Sequence, residues 1–223
     1  DGFNMAITAD ADTNGGENTT PYNHTCTGAN LLLVVLVALR DGVDAVDGIT
    51  YNSVALTQGH TRVGNGMQFD VWYLINPATG SNVIAVDTTS IGNDYHTHAA
   101  SFAGVLQASP ADDTGDGSAD GANPAFDLIP STDGQLLIGG HANEDGGAGT
   151  TGTGETTLSN NDDGVWSNGF SYAIQTSKAT QSMNWTWASD TWAGAGLTFK
   201  EVVAAPSGIA SMRQLIGHGQ GTR

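Results

Sequence analysis

Two stretches carry oxygen ligands at the spacing a hard cation requires. Asp10-Ala11-Asp12-Thr13-Asn14-Gly15 places Asp10, Asp12 and Asn14 at positions 1, 3 and 5 of a calcium loop and glycine at 6. Pro21 falls where the closing bidentate Glu belongs. The second stretch starts at Asp112 and runs through Thr114, Asp116, Gly117 and Asp120, with Asn123 at the closing position. Calcium is the candidate cofactor at either loop. The same Asp, Asn and Gly residues also make ordinary solvated turns.

His96 and His98 lie two apart and share a face on a strand. With Asp94 they make a possible zinc or nickel set, but no partner motif occurs elsewhere, and plain edge-strand histidines are the alternative. Trp185 and Trp187 also share a strand face. Exposed, they would stack on a sugar ring; buried, they would fill the end of a core. Gly169-Phe170-Ser171-Tyr172-Ala173 approaches a nucleophile elbow but lacks the second glycine and reads as a strand. The acids lie mostly in Gly-rich stretches rather than as a positioned pair, and no phosphate-cradling loop is present. The expectation is a protein without catalytic residues. Cys26 is the single cysteine, which excludes an internal disulfide and reads as a small buried hydrophobe.

The element that must organise these residues is Asn30 to Arg40. Leu31 to Ala38 is an unbroken aliphatic run closed by Thr27-Gly28 and Asp41-Gly42. It is too short for a bilayer, which takes roughly 20 apolar residues. Its valine content and flanking glycines predict a strand covered on both faces. Other apolar runs follow: Met67 to Ile75, Asn82 to Thr88, His98 to Leu106, Gln135 to His141, Gly169 to Gln175, Met183 to Ala188 and Thr191 to Val203. Asn52-Ser53 predicts a hairpin and Asn76 to Gly80 a turn. Residues 10–20, 107–124 and 143–164 read as polar loops. About ten or eleven strands result, and the class predicted is all-β: two packed antiparallel sheets of jelly-roll type. A parallel β-helix ranks lower because no fixed short repeat is visible.

Composition agrees. The chain has 223 residues, 31 of them Gly, and a net charge of −17 from 23 Asp and Glu against six Lys and Arg. Such a surface repels a phosphate backbone, so nucleic acid is not an expected partner. No stretch is long enough for a membrane-spanning helix. Beginning at Asp1 rather than Met, the sequence carries the expectation of a processed or truncated N-terminus. The domain expectation is one sandwich over residues 1–205 and a C-terminal arm over 206–223. In that arm Ile209, Met212, Leu215 and Ile216 fall at helical spacing beside Arg213.

Several segments together resemble a known type of module: His24 to Val35, Gly48 to Gln58, Val71 to Val86, Ser101 to Pro110 and Ser182 to Phe199. They are similar to an uncharacterised β-sandwich module of tailed-phage virion structural proteins and bacterial surface proteins. The resemblance covers roughly residues 20 to 200 and carries no catalytic residues. It implies a virion-surface or extracellular structural subunit that contacts other assembly subunits as a homo-oligomer. The tail after residue 206 lies outside the resemblance; its helical spacing makes Ile209, Met212, Arg213, Leu215 and Ile216 the expected assembly residues of an intersubunit arm. The alternative is a calcium-assisted carbohydrate-binding module of an adhesin, with glycans as partners of Trp185 and Trp187.

Overall fold

The computed structural model describes residues 5–40, 46–88, 94–144, 146–147, 149–187 and 190–203. They form seventeen strands and no helix. The first nine are β1 (Thr8–Glu17), β2 (Tyr22–Cys26), β3 (Leu32–Arg40), β4 (Gly48–Tyr51), β5 (Val54–Ala55), β6 (Thr57–Gly64), β7 (Met67–Ile75), β8 (Gly80–Asp87) and β9 (Tyr95–Ala103). The remaining eight are β10 (Ala111–Ala122), β11 (Ala125–Leu128), β12 (Gln135–Asn143), β13 (Thr150–Thr151), β14 (Thr156–Asp162), β15 (Ser167–Gln175), β16 (Gln181–Thr186) and β17 (Asp190–Phe199). No helix among the described residues is long and apolar enough to cross a membrane, which says nothing of a β-barrel.

The expected all-β sandwich is present, but its two sheets are four. An outer sheet β2-β8-β4-β5 covers an inner sheet β1-β9-β3-β7-β6. A second inner sheet, β10-β17-β12-β15-β14, faces the first and is covered by an outer sheet β11-β16-β13. Strand β3 explains the placement. Leu32, Val34, Leu36 and Ala38 enter the core between the two inner sheets, while Leu33, Val35, Val37 and Leu39 enter the core beneath the first outer sheet. Every one of these side chains is at most 1% exposed. Burying an aliphatic side chain of this size contributes about 1.5–3 kcal/mol, which is why the run has no polar alternation.

The two halves of the chain are the same fold twice. Strand order β1-β9-β3-β7-β6 maps onto β10-β17-β12-β15-β14, and β2-β8-β4 onto β11-β16-β13; only β5 has no counterpart. Registers agree as well. Leu32 faces Phe102 and Ile75, and Leu136 faces Phe199 and Ile174. Strands β6 and β14 even bulge at matching places, after Gln58 and Thr157. The halves pack about an approximate twofold, and some contacts across it occur in related pairs, while β17 packs far more closely on β6 and β7 than β9 does on β14 and β15. Tyr73 meets Phe199 edge-on at 5.3 Å, and Tyr172 meets Phe102 edge-on at 5.1 Å. Arg62 of β6 reaches Asp116 of β10 at 3.0 Å; at the other end Asn14 of β1 reaches Asn161 of β14 at 3.2 Å.

The polar stretches 10–20 and 107–124 are largely strand, not loop, because their backbones take ladder bonds from β9 and β17. The expected Asn52-Ser53 turn joins β4 to β5 with φ of 50° and 64°, and Asn76 and Gly80 turn with φ of 51° and 91°.

Candidate functional site

The two aspartate sets are spread along the edge strands β1 and β10 and do not converge. Among the described residues no group of three or more His, Cys, Asp or Glu is placed to hold a metal ion. Asp10 instead clamps the turn after β2. Its carboxylate accepts from the Thr27 amide (2.8 Å), the Thr27 hydroxyl and Ser101 Oγ (2.7 Å). Burial pushes its carboxyl up, but these hydrogen bonds outweigh it and hold it below the ordinary value. Asp12 is largely exposed and lies 3.5 Å from His98 Nε2. Asn14 accepts from the Gly16 amide at 2.9 Å.

Asp112 is the counterpart of Asp10 in the second half. It accepts from the Ser131 amide, Ser131 Oγ and Gln135 Nε2, each at 2.8 Å, and pairs with Lys200 Nζ at 2.8 Å. Against the upward push of burial, these partners hold its carboxyl far below the usual carboxylate range. Asp116 accepts from His60 (2.9 Å) and Arg62, and Asp120 from Thr191 Oγ1 at 3.2 Å. Since hydrogen bonds to a charged group contribute about 1.5–3 kcal/mol each, Asp112→Ala is expected to destabilise the protein by about 3 kcal/mol. A urea midpoint unchanged by the substitution would remove the clamp.

His96 and His98 share a face as expected, but β9 is an interior strand between β1 and β3, so they are not edge histidines. Both are buried at the junction of the halves. The His96 ring meets Trp166 edge-on at 5.4 Å, and His98 lies 5.9 Å from the Phe170 ring with Nδ1 3.2 Å from Ser159 Oγ. Burial lowers both; His98 falls to about 4 although Asp12 pulls upward. Asp94 does not join them, because it pairs with Arg40 at 3.6 Å.

Sequence spacing does not single out His24. Its Nδ1 lies 2.9 Å from Thr13 Oγ1 and its Nε2 3.1 Å from Ser101 Oγ. Because the Ser101 hydroxyl donates to Asp10, it must accept from His24 Nε2–H, which leaves Nδ1 to accept from Thr13. The hydrogen bonds run Asp10–Ser101–His24, whereas a catalytic triad needs the imidazole between hydroxyl and carboxylate. Ser171 lies on β15, as the sequence indicates, and donates to Glu155 at 2.5 Å.

Trp185 and Trp187 are 1% and 5% exposed in the core under the second outer sheet. Their ring faces are covered, by Phe126 for Trp185 and by His141 at 4.9 Å from each, so neither presents a platform for a sugar. Burial drives the His141 imidazole down to about 3. Ile209, Met212, Arg213, Leu215 and Ile216 lie outside the described residues.

A different feature has the shape of a binding site. Between the first outer sheet and its inner sheet a cavity of about 480 Å³ opens. Ile49, Leu56, Trp72 and Val86 line it below, and Asp47 and Asp87 stand at its rim. Sites for small ligands fall in a range of roughly 300–1,000 Å³. The sequence gives little sign of it, since its walls come from four separate strands.

No family model, curated protein or solved structure matches the chain.

Proposed function

We propose that the protein is a non-enzymatic structural subunit of a virion or surface assembly, built from two jelly-roll units in tandem. The nested pairings β1 with β9, β2 with β8 and β3 with β7, repeated as β10 with β17, β11 with β16 and β12 with β15, support the jelly-roll assignment. The observation that carries the reading is the duplicated face-to-face packing. Each half seals its inner sheet on the other, with His96 against Trp166 and His98 against Phe170 across that seam. The segments resembling virion and surface modules lie within both halves.

Three of the described basic side chains, Arg40, Arg62 and Lys200, are paired with aspartates of the same chain. Copies of so acidic a protein repel one another, and an association between them needs apolar contact or basic groups from outside that set. Residues 206–223 supply both, in Ile209, Met212, Leu215, Ile216 and Arg213. Light scattering of the full chain is expected to show an assembly larger than 22.8 kDa, lost on truncation after Pro206 with the melting temperature unchanged. A monomer at every concentration and salt level would end this reading.

A further inference from the structure

After β17 the chain runs on beside a groove. Ala6 and Ile7 ahead of β1, Asp133 and Gly134 ahead of β12, Ile174 near the end of β15 and Glu201 after β17 line a space of about 320 Å³ there. It lies at the mouth of the central core, to which Ile7 belongs. Its surroundings are apolar. Met5, Ile174 and Val203 are 45%, 37% and 65% exposed. A bond of 3.3 Å from the Met5 amide to the Val202 carbonyl ties the segment before β1 to the segment after β17 at this place. Gly134 lets the Glu201 side chain come in close, since an added Cβ would stand 2.2 Å from its carboxyl carbon.

We propose that this groove receives the arm of a second copy, residues 207–217, so that two copies exchange arms about a twofold axis. The proposal rests on the assembly role given above and adds where the arm goes. The arm suits the groove in two ways. Its Ile209, Met212, Leu215 and Ile216 answer the apolar floor and rim. All 23 acidic residues precede the arm and Arg213 lies within it, so a basic segment meets Asp133 and Glu201. Both carboxylates have partners within the chain, for Asp133 the Lys178 amide at 2.5 Å. Their charge, not a spare lone pair, draws the arm. Reach fixes the arrangement. Residues 204–208, between Val203 and Ile209, span at most about 20 Å. An arm therefore enters only a groove close to its own exit. Exit and groove adjoin on each copy, since Glu201 lines the groove and Val203 is two residues further on. Whatever brings one exit to the partner's groove brings the partner's exit to the first groove. Each contact is then made in both directions, and the pair closes with both grooves filled.

Light scattering of the full chain is expected to give about twice 22.8 kDa and nothing larger. Ile174→Lys puts a charge at an exposed position of the groove. It should leave the melting temperature unchanged and raise the half-association concentration at least about thirtyfold, as for a residue at the centre of an interface. Cross-linking identifies the owner of the arm. Ile174→Cys is placed on one chain and Leu215→Cys on a second chain made longer by a tag; the native Cys26 is buried and stays unreacted. After mixing, a short bis-maleimide should join the two sizes. Cross-linking only when both cysteines are on one chain, with a monomeric product, puts the arm in its own groove and overturns the proposal; so does the absence of a cross-link in either format. Assembly lost on truncation after Pro206 but kept in Ile174→Lys overturns the groove and leaves the assembly role standing. Assembly that survives the truncation ends both, and a mass beyond that of a pair overturns the reciprocal exchange.

Discussion

Lowering the pH from 7.5 to 4.5 is expected to remove a large part of the stability of this protein. His24, His96, His98 and His141 are buried, and burial lowers all four imidazoles. His98 takes up its proton near pH 4 and His141 near pH 3 in the folded state, against an ordinary value of 6.5. In the window between about 6.5 and 4 the unfolded chain therefore binds protons that the folded chain refuses. Stability is complete above that window and falls as the pH drops through it. A tenfold difference in proton affinity between the folded and unfolded chain is worth about 1.4 kcal/mol. His98 alone then accounts for a loss on the order of 3 kcal/mol, within a total of about 5–15 for a typical domain. Further down, Asp10 and Asp112 add to the loss as their clamping carboxylates are protonated. Glu155 works the other way, because burial raises it. Urea midpoints at the two pH values measure the effect, and His98→Gln should flatten the dependence. Equal midpoints at pH 7.5 and 4.5 would contradict the burial of these rings.

The parts of the fold that are legible in the sequence are those where side chains decide the structure. The run Leu31 to Ala38 can only be covered on both faces, and it is. The turns at Asn52-Ser53 and Asn76 to Gly80 follow from residues that tolerate positive φ. Strands β1, β10 and β14 are not legible, because neighbouring backbone makes them. In β10, Gly115 permits the approach of β11: an added Cβ would stand 2.1 Å from the Asp127 carbonyl oxygen. Residues chosen for close backbone approach look like residues chosen for turns.

The duplication is hidden in the sequence for a related reason. Its offset drifts from 104 residues at Leu32 and Leu136 to 97 at Phe102 and Phe199, so no fixed period appears. The traces are Thr27 and Ser131, each five residues before a Leu-Leu pair, and the tyrosines Tyr73 and Tyr172. The tryptophan pair shows the limit of spacing arguments. Alternation places Trp185 of β16 and Trp187 just beyond its end on one face, but which face is covered depends on β12, β15 and β17, which belong to another sheet. The cavity at Trp72 is hidden similarly, since its walls come from four separate strands.

Phe170→Ala is expected to destabilise the whole chain by about 3–5 kcal/mol, the usual cost of removing a buried aromatic ring and leaving a cavity. Phe170 is fully buried between the inner sheets. Its ring meets Phe69 of the first half at 5.7 Å and His98 of the same half at 5.9 Å. The void would lie at the junction, bounded by side chains from both halves, so neither can close it alone. Because one core holds residues of β3, β7 and β9 together with residues of β12, β15 and β17, the two halves should unfold in a single transition. Tryptophan fluorescence reports mainly on the second half, which contains Trp166, Trp185, Trp187 and Trp192. Amide exchange at Val34 and Leu36 reports on the first. In Phe170→Ala both probes should shift to lower urea by the same amount. A shift below about 1 kcal/mol would mean that the ring is not packed across the junction. A shift in fluorescence without a shift at β3 would mean that the halves unfold independently, and the pseudo-twofold contact would then be a docking of two finished units rather than a shared core.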